Sequence, residues 1–139
     1  MSTKPRLLIP REIHDALFAQ ARNEAPNECC GLLAGPMPRD GDYVVAGRFP
    51  LVNALASPTA FESEPHGLLA VHRQMRERGW EILAVYHSHP ATPAMPSARD
   101  REMTFAENVA TLIVSLADDE VRGWWINNDE ILSATIDIV

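Results

Sequence analysis

His87-Ser88-His89 places two imidazoles two residues apart at the end of the apolar run 81–88. On a β-strand, side chains two apart share a face and lie about 6.6 Å apart along the strand, near enough for both rings to reach one ion. Asp100 follows eleven residues after His89, in the first turn of a helix predicted to begin near Ser97. Two histidines and one carboxylate form a ligand set typical of a catalytic zinc site, whose fourth position is left to water. A closed structural zinc site draws on four ligands rich in Cys, and this sequence has no C-x-x-C pair.

Other residues join this group with less force. Glu28 opens a predicted buried strand over 28–34, Glu-Cys-Cys-Gly-Leu-Leu-Ala. By itself such a carboxylate is an ordinary rim residue; beside a metal pair it becomes a candidate general base. Ser97-Ala98-Arg99-Asp100 matches S-x-x-D, which alone reads as a capping box. Capping and ligation are compatible, since a capped helix entrance fixes both side chains. Pro90, Pro93 and Pro96 restrict the intervening loop, which either lowers the entropy cost of holding ligands or simply makes a rigid turn. Cys29 and Cys30 read as small buried hydrophobes, with Cys29, beside Glu28, the one placed to face the site.

Several elements must position these residues. Residues 6–9 suit a short strand, and Ile13, Ala16, Leu17 and Ala21 mark the inner face of a helix from Pro10 to Glu24. The turn-forming stretch 35–42 separates strand 28–34 from a strand over 43–52, which reads as its hairpin partner. Ser63 caps a helix beginning near Pro65, with Leu68, Leu69, His72 and Met75 inward and Gly79 at its close. The run 81–88 suits a central strand covered on both faces. A helix over 97–108 follows, then strands over 110–117, 121–127 and 130–138, the last two joined by an Asn127-Asn128-Asp129 turn. The order predicts an α/β fold with a mixed central sheet flanked by helices.

At 139 residues the chain suits one compact domain spanning 1–139. A net charge of −7 and a pI near 5.1 argue against a nucleic-acid surface, which needs clustered Lys and Arg. Leu7-Leu8-Ile9 is too short for a signal-peptide core, and no run is long enough to cross a bilayer. Adjacent cysteines are poorly placed to bridge one another. These features predict a cytoplasmic location with no membrane contact.

At this point the sequence resembles the JAMM/MPN metallopeptidase family. Its pattern is a Glu on an early strand, then H-x-H, seven residues, Ser, two residues and Asp. Glu28, His87, His89, Ser97 and Asp100 occupy those places. His-Ser-His-Pro and Glu-Cys-Cys-Gly-Leu-Leu-Ala-Gly are similar to the small single-domain prokaryotic members, and the likeness runs from about residue 6 to the end. It implies a cytidine-deaminase-like three-layer fold without deaminase chemistry, whose H-x-E and P-C-x-x-C signatures are missing here. It implies one Zn²⁺ on His87, His89 and Asp100, Glu28 as proton shuttle and Ser97 as oxyanion donor. The implied substrate is a ubiquitin-like or sulfur-carrier protein with a Gly-Gly C-terminus, its tail running past a wall formed by residues 52–59.

Two other functions compete. A catalytically silent binding module of the same superfamily would need none of the five residues. A small-molecule zinc amidase would use them without a carrier protein. An H-x-H amidohydrolase barrel needs roughly 200 residues or more.

Overall fold

The run 81–89 forms a nine-residue strand, β5 (Glu81–His89), buried from Leu83 onward. The computed structural model describes residues 4–103, 107–127 and 130–139. Before β5 come β1 (Leu7–Ile9), α1 (Arg11–Glu24), β2 (Cys30–Gly35), β3 (Tyr43–Val44), β4 (Gly47–Leu51) and α2 (Pro65–Arg78). After it come α3 (Ala98–Glu102), β6 (Ala110–Ser115), β7 (Glu120–Ile126), β8 (Ile131–Ala134) and β9 (Ile136–Ile138). Six strands form a mixed sheet in the order β4-β2-β5-β6-β7-β8, and a smaller sheet runs β3-β1-β9. Within the large sheet β5 lies parallel to β6 and antiparallel to β2.

Both faces of the large sheet are covered, which is why its central strands lack a polar face. Leu17, Phe18 and Ala21 of α1 pack with Cys29, Leu33, Ala84, Tyr86, Leu112 and Val114. Val71 and Met75 of α2 pack with Cys30, Leu32, Phe49, Leu51, Phe61 and Val85. Alternate residues of β2 and β5 thus serve opposite helices, giving the expected three layers. The strict alternation breaks once. Leu33 pairs with Ala84 but Ala34 with Ile82, so Leu83 is an extra residue in a β-bulge. Leu83 and Ala84 both enter the α1-side core, while Ile82 packs on the α2 side. The bulge therefore restores Val85, and after it His87 and His89, to the α2 face.

Several expected boundaries move. The stretch 43–52 is not one hairpin strand. β3 pairs parallel with β1 in the small sheet, and only β4 pairs with β2. The chain crosses between sheets where Val45 N–H bonds Leu8 O and Ala46 N–H bonds Ala34 O. Gly35 permits this, because a side chain there would collide with the Val44 carbonyl. The stretch 130–138 likewise divides, and β9 joins β1. Helix α2 is capped by Glu64, whose carboxylate accepts from His66 and Gly67 N–H, while Ser63 bridges to Asn53. Its inner face is Leu68, Val71 and Met75; Leu69 and His72 are exposed. Gly79 closes it in the left-handed conformation, φ 70°. Helix α3 ends at Glu102, and Glu107–Asn108 form a turn. Residues 104–106 of the expected helix and Asn128-Asp129 of the expected turn lie outside the described residues. No helix among the described residues is long and apolar enough to cross a membrane.

One close approach locks α1 to the sheet. Tyr86 is fully buried and reaches across Gly31 to donate its hydroxyl to Gln20 Oε1 at 2.5 Å. The same oxygen accepts from Arg48 at 2.7 Å, and Gln20 Nε2 donates to the Cys30 carbonyl at 3.1 Å. A methyl group on Gly31 would overlap the Tyr86 ring and hydroxyl. Gly31→Ala should therefore cost about 1–3 kcal/mol by overpacking, read as a lowered urea midpoint; an unchanged midpoint would refute the contact.

Candidate metal centre

The pleat and the bulge leave His87 and His89 side by side at the C-terminal end of β5. His87 lies opposite Cys30 of β2, and His89 opposite Ser115 of β6. Phe61 stacks on the His87 ring, 4.7 Å between centroids and 22° between planes. Asp100 arrives from the first turn of α3. Its Oδ2 accepts from Ser97 N–H at 2.9 Å, while Ser97 Oγ accepts from Asp100 N–H at 3.1 Å. This reciprocal capping box aims the carboxylate at the histidines, so capping and convergence coexist.

The three groups meet closely. His87 Nε2 is 3.1 Å from Asp100 Oδ1, His89 Nε2 is 3.0 Å from Asp100 Oδ2, and the two Nε2 atoms are 3.2 Å apart. A tetrahedral ion with bonds of about 2.0–2.1 Å separates its ligands by roughly 3.3–3.4 Å. The donor set therefore fits a small divalent cation with little movement. His89 Nδ1 lies 2.8 Å from the Pro93 carbonyl. That contact keeps Nδ1 protonated and leaves the Nε2 lone pair for an ion.

Burial makes this arrangement electrostatically demanding. His87, His89, Asp100 and Glu28 expose 1, 4, 6 and 5% of their surfaces, so each is largely withdrawn from bulk water. Burial pulls His87 below its ordinary value. Burial would also lower His89, but the Asp100 bond and the Pro93 carbonyl raise it overall. Burial alone would raise Asp100; hydrogen bonds from both imidazoles hold it well below the usual carboxylate range. Among the described residues, no side chain or N–H hydrogen-bonds the buried Glu28 Oε1. Burial pushes this carboxyl up to about 7.

Glu28 sits in the loop before β2, two residues ahead of where that strand begins at Cys30. This corrects its expected place on the strand. Its N–H donates to Ser57 O at 2.8 Å, and its carbonyl accepts from Asn53 Nδ2 at 3.0 Å. Glu28, His89 and Ser97 share one cleft of about 570 Å³, which Pro26, Pro58 and Thr59 help to wall. Of the expected wall 52–59, only Pro58 and Thr59 line it; Val52 and Leu55 point to solvent.

Sequence reasoning missed Asn53. This buried side chain also bonds Ala60 O, Leu55 N–H and Glu62 N–H, folding loop 53–62 beside Glu28. An Asn directly after an apolar strand was the available signal. The cysteines are reversed from expectation: Cys29 packs toward α1, and Cys30 lies across from His87. Burial raises the thiols to about 11 and about 12, which disfavours the thiolate form.

Residues 10–127 match the family described as prokaryotic homologs of the JAB domain. The chain is 31% identical over 136 residues to the CysO-cysteine peptidase of Mycobacterium tuberculosis, covering 96% of this chain and 91% of that one. It is 33% identical over 119 residues to the desampylase of Haloferax volcanii, covering 81% and 83%. A solution structure of a protein from Desulfitobacterium hafniense superposes with a TM-score of 0.86 at 35% identity, covering 96% of this chain and 92% of that one.

The isolated Glu28 carboxylate has a measurable consequence for the metal-free chain. Its folded value, about 7, exceeds its ordinary 4.5. Folding is therefore favoured while the proton is bound, and that stability is lost as pH rises from about 4.5 to 7. Gln carries no charge at any pH. Urea unfolding should show metal-free Glu28→Gln overtaking the parent across this window, by on the order of 1–3 kcal/mol at pH 8. Equal gaps at pH 4.5 and pH 8 would contradict it.

Proposed function

The chain belongs to the prokaryotic homologs of the JAB domain, and on that footing we propose that it is a zinc metallopeptidase. It hydrolyses peptide or isopeptide bonds after the C-terminal Gly-Gly tail of a ubiquitin-like or sulfur-carrier protein. The observation carrying this reading is the buried convergence of His87, His89 and Asp100 in a cleft that also holds an unpartnered Glu28 oxygen. Relatives named as a CysO-cysteine peptidase and a desampylase support the substrate class.

His87 Nε2, His89 Nε2 and an Asp100 oxygen would hold the ion. When bound, Zn²⁺ supplies Lewis-acid polarisation of a carbonyl and lowers the pKa of water to about 7. Glu28 takes a proton from the attacking water and delivers it to the leaving amine. Its place in the cleft beside His89 puts it within the space where that water and the leaving amine must lie. Ser97 Oγ is positioned by accepting Asp100 N–H, which leaves its hydroxyl hydrogen to donate to the developing oxyanion. The cleft is walled by small and ring-restricted residues, Ala25, Pro26, Pro58 and Ala91 among them. Such a passage suits a tail whose glycines let the backbone come close.

Elemental analysis should find about one zinc per chain, lost in the His87→Ala/His89→Ala protein. Glu28→Gln should keep the zinc and lose about 10²- to 10⁴-fold in turnover. Near-normal turnover would remove Glu28 from the chemistry.

The substrate class is tested with a carrier extended past Gly-Gly by one amino acid. It should be cleaved, while a matched Ala-Ala carrier resists. Equal cleavage would sink the narrow-tail requirement, and equal rates on the carrier and its short C-terminal peptide would favour a small-molecule amidase.

A further inference from the structure

Three consecutive main-chain carbonyls in the loop after β5 each accept a hydrogen bond from a different side chain. Thr92 O accepts from Ser115 Oγ at 2.7 Å, Pro93 O from His89 Nδ1 at 2.8 Å, and Ala94 O from Trp124 Nε1 at 3.1 Å. Only the middle bond reaches the metal centre. Asp118 ties the outer two together: its Oδ2 accepts from Ala94 N–H at 3.3 Å, and its N–H donates to Ser115 Oγ at 3.0 Å. Ser115 is fully buried and pairs in register with His89 across β5 and β6. Ala94 is buried against Ile113 and Trp124.

A carbonyl fixes an imidazole only as well as it is fixed itself. Pro90, Pro93 and Pro96 have no N–H, so this loop has few main-chain donors with which to hold its own shape. The ties come from side chains on β6, β7 and the turn between them. Groups behind a metal-ligating histidine set its tautomer and ring orientation, and with them the affinity of the site.

We infer that Ser115 and Trp124, joined through Asp118, are positioning residues for the metal centre. By gripping the carbonyls on either side of Pro93, they hold the Pro93 carbonyl against His89 Nδ1. Neither Ser115 nor Trp124 is a ligand. The inference rests on the zinc reading of His87, His89 and Asp100.

The test measures Zn²⁺ affinity of the full chain by chelator competition, and the absorption bands of the Co²⁺-loaded protein. Ser115→Ala and Trp124→Phe should each bind Zn²⁺ about 10- to 100-fold more weakly and shift the Co²⁺ bands. Ser115→Thr keeps the hydroxyl and should hold near-parental affinity and spectrum, a rescue that a purely packing role would not give. Parental affinity and bands in Ser115→Ala and Trp124→Phe would overturn the inference, as would an equal loss in Ser115→Ala and Ser115→Thr. Should Ser115→Ala fail to fold, Trp124→Phe decides alone, since it keeps a ring against Ala94 and Ile113. A parent chain binding neither ion would overturn the zinc reading and this inference together; a parent that binds, with unaltered variants, overturns the clamp alone.

Discussion

Four ionisable side chains are removed from water at one end of β5, and the surrounding structure is arranged to make that tolerable. An unpaired buried charge costs several kcal/mol, so such groups survive only where partners are supplied. Asp100 is supplied with two imidazoles and, through its capping box, with the Ser97 N–H. His89 is supplied with a carbonyl from a loop that other side chains hold still. Among the described residues, the buried side-chain nitrogens and oxygens left without a hydrogen bond are Glu28 Oε1, His87 Nδ1 and Trp125 Nε1. Two of these three lie at the centre itself, where an unmet polar group is available to an ion, a water or a substrate.

The strand that carries the histidines is anchored between them. Tyr86 and Ser88 face the opposite side of the sheet from His87 and His89. Tyr86 bonds Gln20 of α1, while Ser88 Oγ accepts from Cys29 N–H at 2.8 Å and Ser88 N–H donates back to Cys29 O at 3.1 Å. Each ligand is thus flanked by a residue whose polar atoms fix the backbone from behind. Rigid supports of this kind keep donor atoms near a productive geometry without a bound ion to gather them.

Much of this was legible in the sequence, and the failures have physical causes. The histidine pair was readable because the strand period is two and the run is long. The capping box was readable because it is local. Strand 43–52 misled because an apolar run states that a segment is buried, not in which sheet; the crossing is decided by Leu8 and Ala34, far away in the chain. For α2, the sets 68/69/72/75 and 68/71/75 both fit helical spacing. Contact with Phe49, Leu51 and Phe61 selects the second. Asn53 was opaque because its partners are main-chain groups spread from residue 28 to 62.

The bulge at Leu83 divides β5 into two segments that are out of phase with one another. Upstream of it, even-numbered residues look toward α2; downstream, odd-numbered residues do. The strand therefore behaves like a reading frame. Loss of Leu83 itself would remove the bulge and leave both imidazoles on the α2 face, whereas one residue added between the bulge and His87 would turn them into the apolar layer under α1. Residues added between the bulge and His87 should be tolerated only with a compensating loss, whereas length changes in the exposed 39–41 turn carry no such condition.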